Sequence, residues 1–460
     1  MKLNFILAAD SYKTSHYKQY PPHTEIVSSY IESRGGDHPK VLFFGLQMFV
    51  EEYLTNPISQ ADIDEADDII TAHGLPFNRE GWEYILKEHD GYLPLEIQAL
   101  KEGSFFPFRN VMVQVKNTDP KCFWLTSYIE TSLLRAVWYP TTVATRSHYI
   151  YQTIKKYLNL TADNLDGLPF KLHDFGARGA SSLETAAIGG LAHLVNFSGS
   201  DTMASLVYGR KYYDIDMAGF SIPAAEHSTI TSWGRGAEKE AYENMIDQFA
   251  KDGAAVAVVS DSYNLWHALD QIWGEDLKDK VINSGGTIVI RPDSGDPIEI
   301  VTETILKLME KFGHSVNKKG YKLLPEYIRV IQGDGVSASV ITQILERLMQ
   351  LDISADNLAF GMGAELLQKV DRDNFQFAMK VSAASIEGVW YDVYKDPITD
   401  HHKQSKRGRF AVIKSGKDSC LTISEKSLGD KKNLLETVYL NGKIMRRQSL
   451  DEIRKLALGE

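Results

Sequence analysis

The stretch from Gly286 to Pro297, GTIVIRPDSGDP, confines the possible folds more than any other part of the chain. Thr287 to Ile290 run apolar or β-branched without polar alternation, as a strand covered on both faces must, and Arg291, Pro292 and Asp293 follow at once. The pattern recurs in FKLHDFGARG from Phe170, AVAVVSDSYN from Ala255, YIRVIQGDGV from Tyr327 and NLAFGMGAEL from Asn357. Each is a short apolar run, then Asp or Gly, then a helical stretch. Ser337 to Leu351 puts Val340, Ile341, Ile344, Leu345 and Leu348 on one face, and Ser181 with Glu184 reads as a capping box. Alternation of strand and helix predicts a parallel sheet, and about five such units favour a closed barrel over an open sheet. Charge at strand ends sits where α/β folds bind ligands. Asp174, Asp261, Asp293, Asp334 and Gly361 are therefore expected to crowd one rim. Clustered carboxylates repel one another unless cations or hydroxyls offset them, and Arg178 and Arg291 stand nearby, so the rim suits a sugar phosphate accompanied by Mg2+.

A chain of 460 residues with 43% hydrophobic content fits two or three well-packed domains. Its net charge of -11 argues against general nucleic-acid binding, so an anion site must be a local cluster of Arg and Lys. Cys122 and Cys420 are far apart in sequence and suggest neither a disulfide framework nor zinc spacing, which points to a reducing cytoplasm. No apolar run approaches the roughly 20 residues of a membrane span, and the run before Asp10 is too short for a signal peptide's core.

In chain order, DSYKTSHYKQY reads as a helix capped by Asp10 and ended by Pro21 and Pro22. Ile26 to Arg34 reads as a strand, Phe43 to Leu54 as a partly apolar helix, and the residues after it as a polar linker. LPLEIQALKEG and VMVQVKN read as half-buried antiparallel strands. Cys122 to Leu158 reads as one or two long helices broken at Pro140, with Trp124, Tyr128, Leu133, Val137 and Trp138 as an apolar stripe. A basic loop between Lys395 and Arg409 precedes further strands and a short amphipathic terminal helix. These readings divide the chain into an N-terminal α+β domain (1–150), an α/β barrel (151–382) and a C-terminal segment (383–460).

SIPAAEHSTITSWG stands apart, because His227 is flanked by Glu226 and two hydroxyls, and histidine serves as acid, base or nucleophile toward phosphorus. PAAEHST, HDFGARG, VSDSY, IRPDSG, VIQGDG and KGYKLLP, with the opening DSYKTSHYKQYPP, closely resemble the nicotinamide phosphoribosyltransferase family over essentially the whole chain. That resemblance implies a type II phosphoribosyltransferase fold, an irregular α/β barrel beside an α/β domain formed from both chain ends. It implies transfer of the phosphoribosyl group of phosphoribosyl pyrophosphate to nicotinamide, with ATP as coupling substrate, Mg2+, and a homodimer with shared active sites.

The resemblance also implies roles. Phe175 and Tyr12, the latter from the partner subunit, would sandwich the pyridine ring, with Asp201 on its amide and Asp10 close by. Arg178 and Arg291 would line the pocket, Asp293 and Asp334 would hold the ribose hydroxyls, and Gly333, Gly363 and Ala364 would grip the 5'-phosphate. Arg34, Arg372, Lys380, Lys395 and Lys403 would hold pyrophosphate, with Mg2+ mainly on its oxygens. His227 would be phosphorylated from ATP and oriented by Asp261. The chain departs from the family in GMGAELLQ, where Ala364 and Glu365 replace glycines, and at Ala257, where some relatives carry a hydroxyl. The nearest rival is nicotinate phosphoribosyltransferase; Asp201 would repel a carboxylate and accept from an amide. A barrel metallohydrolase and a non-catalytic binding protein are further alternatives.

Overall fold

Residues 4–399, 404–416 and 419–459 are described by a computed structural model. The chain forms two units, one made of residues up to Thr145, Lys211–Ile215 and the chain from Asp371, the other of Arg146–Arg210 and Asp216–Val370.

In the second unit, six strands pair in parallel in the order Gly199–Ser200, Leu172–Asp174, Leu358–Met362, Ile328–Gln332, Thr287–Arg291 and Ala255–Val259. The segment between the two outer strands joins them: Phe220 bridges Gly199 and Ala224 bridges Ala257, both in parallel. That joint makes the barrel irregular. The helices between strands bury one stripe each, as in Ala338–Gln350, where Ile341, Ile344, Leu345 and Leu348 are buried and Val340 is half-buried. The helix after the HDFGARG stretch is capped by Ser182, whose hydroxyl accepts from the Thr185 amide, so the cap lies one residue beyond the expected Ser181 and Glu184.

The first unit is built on a seven-stranded antiparallel sheet, ordered Val389–Asp392, Ala378–Ile386, Thr24–Glu32, Val111–Asn117, Leu95–Ala99, Glu436–Leu440 and Lys443–Ile444. N-terminal strands occupy its middle and C-terminal strands both flanks, so each end of the chain needs the other for its hydrogen bonds. This pairing moves the second boundary: the expected barrel limit at residue 382 shifts to 370, since Ala378–Ile386 pairs with Thr24–Glu32. The expected polar linker holds two helices, Gln60–Ala72 and Arg79–Glu88, each with a narrow apolar stripe of which Ile63, Ile70, Trp82 and Ile85 are buried. Glu130–Thr161 runs through Pro140 as one helix. Around the proline, Thr141 and Thr145 hydroxyls accept from the Phe44 and Leu42 amides, and these contacts hold the turn together where the proline donates no bond.

Candidate active site

Side chains alternate along a strand, so the barrel interior selects every second residue. Ala257, Val289 and Ile331 form a small inner core with Phe175, Ile222, Ala255 and Ala359 against it. Two or four residues further along each strand come Asp261, then Arg291 and Asp293, then Gly333, then Gly361 and Gly363, at the mouth. The inner residues are small there, and the space is taken by Phe175. A side-chain carbon on Gly361 would lie 2.0 Å from the Phe175 ring, and one on Gly333 3.3 Å from it.

The same alternation removes Asp174 from the rim. It is fully buried, faces the helix Leu183–His193 across Gly190, and accepts from the Gly176 amide at 2.7 Å and the Ser200 hydroxyl at 3.4 Å. Burial raises its carboxyl pKa. Asp174 therefore does not share the mouth with the other carboxylates. Its carbonyl accepts from the Asp201 amide at 3.0 Å, which ties Asp201 to the strand that leads into Phe175. The Asp201 carboxylate accepts from the Ser221 hydroxyl.

His227 is the first residue of the short helix His227–Thr231, with Glu226 before it as N-cap. Its Nε2 stands 3.4 Å from Asp293 and 3.7 Å from Asp261, and its Nδ1 is 3.1 Å from the Ser262 hydroxyl. Asp261 in turn accepts from the Asp293 amide at 3.1 Å and the Ser294 hydroxyl at 2.5 Å, while its other oxygen, Oδ1, is buried without a hydrogen bond. Arg291 Nε is likewise buried without an acceptor and lies 3.7 Å from Asp293. Charge of both signs is thus held in place with bonding capacity left over, as a site awaiting a polar ligand requires. Ser221, Ser262 and Ser294 were not expected to take part; a serine after a strand gives no signal apart from ordinary turn chemistry.

Arg178 is exposed in the turn Ala177–Gly179, and Asp334 is exposed with its carbonyl accepting from the Gln332 side-chain Nε2 at 2.7 Å. Gly363 precedes the turn Ala364–Leu367, whose Ala364 packs against Gly179. Ala364 is not among the residues with positive φ, so its amide is available, and Glu365 is drawn aside by Lys369 at 3.0 Å. Among the described residues, the one group of three His, Cys, Asp or Glu side chains with ligand atoms all within 4.8 Å of one another is His89, Asp119 and Cys122, in the first unit.

The remaining expected residues lie in the first unit. Asp10 does not cap the helix Ser11–Lys18 with its side chain, and its carboxylate accepts from the Thr131 hydroxyl at 2.6 Å instead. That helix is 3-10 rather than α. Tyr12 projects from it 56% exposed, with His16 edge-on at 5.4 Å. Arg34 is bound to Glu32 at 2.9 Å while its Nη2 is buried without an acceptor. Lys380 stands opposite Tyr30 across the sheet. Desolvation first, then Arg34, Lys13 and Arg372, lower the Lys380 pKa against an opposing pull from Glu130. Cations here exceed the acids that could neutralise them, which is the condition for anion binding. Arg372 is exposed beside Asp373 at 3.0 Å, and Lys395 is fixed through its backbone to Ser405. Lys403 lies outside the described residues.

The solved structures that share this architecture are nicotinate-nucleotide pyrophosphorylase from Pyrococcus furiosus (TM-score 0.66, 13% identity, 99% of this chain and 95% of that one) and human nicotinic acid phosphoribosyltransferase (0.56, 14%, 98% and 92%). The fold is that of a type II phosphoribosyltransferase. Residues 170–443 match the model of the nicotinate phosphoribosyltransferase (NAPRTase) family, and residues 4–97 that of the nicotinamide phosphoribosyltransferase N-terminal domain. The chain belongs to the NAPRTase family, and it is a phosphoribosyltransferase. Among its relatives are proteins named nicotinamide phosphoribosyltransferase from Xanthomonas campestris pv. campestris, 51% identical over 98% of this chain and 97% of that protein, and from Acinetobacter baylyi, 31% identical over 99% and 97%.

Proposed function

We propose that the chain transfers phosphoribosyl from phosphoribosyl pyrophosphate to nicotinamide, giving nicotinamide mononucleotide and pyrophosphate for NAD salvage. The C1'–pyrophosphate bond breaks with its electron pair leaving on pyrophosphate, and the pyridine nitrogen supplies the pair for the new C1'–N bond. Positive charge builds on the ribose meanwhile. Carboxylates such as Asp293 and Asp334 stabilise that charge, and Arg34, Arg372, Lys380, Lys395 and Lys403 stabilise the departing anion. Gly333, Gly363 and Ala364 would take the 5'-phosphate through backbone amides, and Arg178 and Arg291 would line the pocket. Phe175 would stack on the pyridine ring, with the partner subunit's Tyr12 on its other face in a homodimer.

The choice of nicotinamide rests on Asp201, whose carboxylate repels nicotinate and accepts from an amide N–H. The names of the relatives above agree. The nicotinate reading keeps the family name in its favour but leaves Asp201 facing a like charge.

ATP enters through His227. Asp293 and Asp261 beside Nε2 favour the proton there, which leaves the Nδ1 lone pair, next to Ser262, as the nucleophile toward the γ-phosphorus with ADP departing. Mg2+ fits a site with few protein ligands, because it keeps several waters and takes phosphate oxygens readily. Asp261, with a buried oxygen that makes no hydrogen bond, and Asp293 would hold it, and it would neutralise charge on the phosphates. The free, buried thiols of Cys122 and Cys420 suit a cytoplasmic home.

One assay tests the reading: nicotinamide, phosphoribosyl pyrophosphate and Mg2+ with and without ATP, followed by chromatography of the products. Nicotinamide mononucleotide should form, and in larger yield with ATP. Equal kcat/KM for nicotinate and nicotinamide would overturn the substrate assignment.

A further inference from the structure

A second cleft opens at the sheet edge of the first unit, and none of its lining residues was given a role above. Its volume is about 430 Å3, within the range of small-molecule pockets, and it is walled by Trp390, Tyr391, the loop Arg407–Arg409 and Lys426. The edge strand Val389–Asp392 is exposed along its whole length, with Trp390 39% and Tyr391 53% accessible. Large aromatic rings left in water on a strand without an outer neighbour mark a binding surface.

The charges around these rings are ordered. Arg409 lies 4.5 Å from the centre of the Trp390 ring and is held by Glu425 at 2.9 Å, so one cation and one acid are already matched. The Glu425 amide donates to the Arg409 carbonyl at 2.9 Å, which joins the two sides of the cleft. Arg407 stacks on Tyr394 at 5.2 Å, and neither it nor Lys426 makes an ion pair among the described residues. Asp392 is the other acid in the wall. Three cations against two acids leave a local positive surplus on a chain of net charge -11.

We propose that this cleft binds a nucleotide, its base against Trp390 and Tyr391 and its phosphate on Arg407 and Lys426. A purely apolar ligand would leave the two unmatched cations unused, and an inorganic anion would leave the rings in water. A planar ring joined to a phosphate uses both. Base–aromatic stacking and charge-assisted phosphate contacts then act together. The inference does not depend on the reaction proposed above, because no residue of the cleft belongs to that machinery.

The test is calorimetric titration of the intact protein with AMP, with adenosine and inorganic phosphate as separate probes. AMP should bind, with Trp390→Ala and Lys426→Glu each weakening it about tenfold or more, and with Trp390→Phe retaining most of the affinity. Adenosine and phosphate should each bind more weakly than AMP. Both weakening variants should keep the wild-type melting temperature and transfer rate. Absence of AMP binding, or AMP binding indifferent to both variants, overturns the proposal. So does adenosine or phosphate binding as tightly as AMP, or loss of self-association in the variants with AMP binding intact, which would make the cleft a contact between copies.

Discussion

At the scale of single residues, the barrel mouth separates two roles that look alike in the sequence. His227 and Asp293 lie 3.4 Å apart, and the function proposed above assigns phosphoryl chemistry to the first and the charge on the ribose to the second. His227→Ala should therefore abolish ATP stimulation and leave slow transfer, whereas Asp293→Ala should lower transfer with or without ATP by about a hundredfold or more. Steady-state rates at both ATP conditions check this, and full ATP coupling in His227→Ala would refute the assignment. A different pair of histidines is expected to contribute to acid lability. Burial lowers the pKa of His148 and of His173 below the ordinary 6.5. His148 is held between the Asn196 carbonyl oxygen at 2.9 Å and the Gln152 amide at 3.3 Å, a setting for the neutral ring. As pH falls below that ordinary value, the unfolded chain gains protons that the folded chain refuses. The stability these rings contribute is therefore present above it and lost as pH falls through the lowered folded values. Melting temperature should drop between about pH 7 and about pH 5, with a shallower drop in His148→Gln. An unchanged slope would exclude His148 as a contributor.

At the scale of elements, the strands and their glycines decide the shape of the pocket. Phe175 lies over Gly361 because nothing projects from the strand Leu358–Met362 at that point. Gly361→Ala would place a methyl 2.0 Å from the ring and force Phe175 aside. The expected result is a rise in KM for nicotinamide of about tenfold or more with a smaller change for phosphoribosyl pyrophosphate, plus some loss of melting temperature from the overpacked core. Equal KM changes for both substrates would mean that Phe175 does not contact the pyridine. The strand endings and the helix stripes were legible from period alone. Ile341, Ile344, Leu345 and Leu348 read as they are buried. Gln60–Ala72 was not, because its acidic residues outnumber a three-residue apolar stripe and imitate a solvated linker.

At the scale of the whole molecule, the first unit takes its sheet from both ends of the chain while the barrel lies between them in sequence. Truncation at either end should therefore disrupt the same sheet. The proposed sharing of active sites predicts a particle of twice the 51.7 kDa chain mass in sedimentation. It also predicts that Tyr12→Ala and Asp293→Ala, each inactive or weak alone, regain activity when mixed, up to about a quarter of wild type, because one of four site combinations is intact in random dimers. No recovery on mixing would argue for sites contained within one chain.

Local sequence determined the alternation of strand and helix and the charged strand ends that carry Asp261 and Asp293, whereas the roles expected of His227 and Phe175 came from the family resemblance. Those signals are short-range: they arise from side-chain period and turn chemistry within a dozen residues. Tertiary structure alone decided that Asp174 turns away from the mouth while Asp261 and Asp293 turn in, since that depends on which face of each strand the helices cover. It also decided that Ala378–Ile386 leaves the barrel for the strand Thr24–Glu32. A pairing across some 350 residues has no local signature, because it forms only when the two ends of the chain meet.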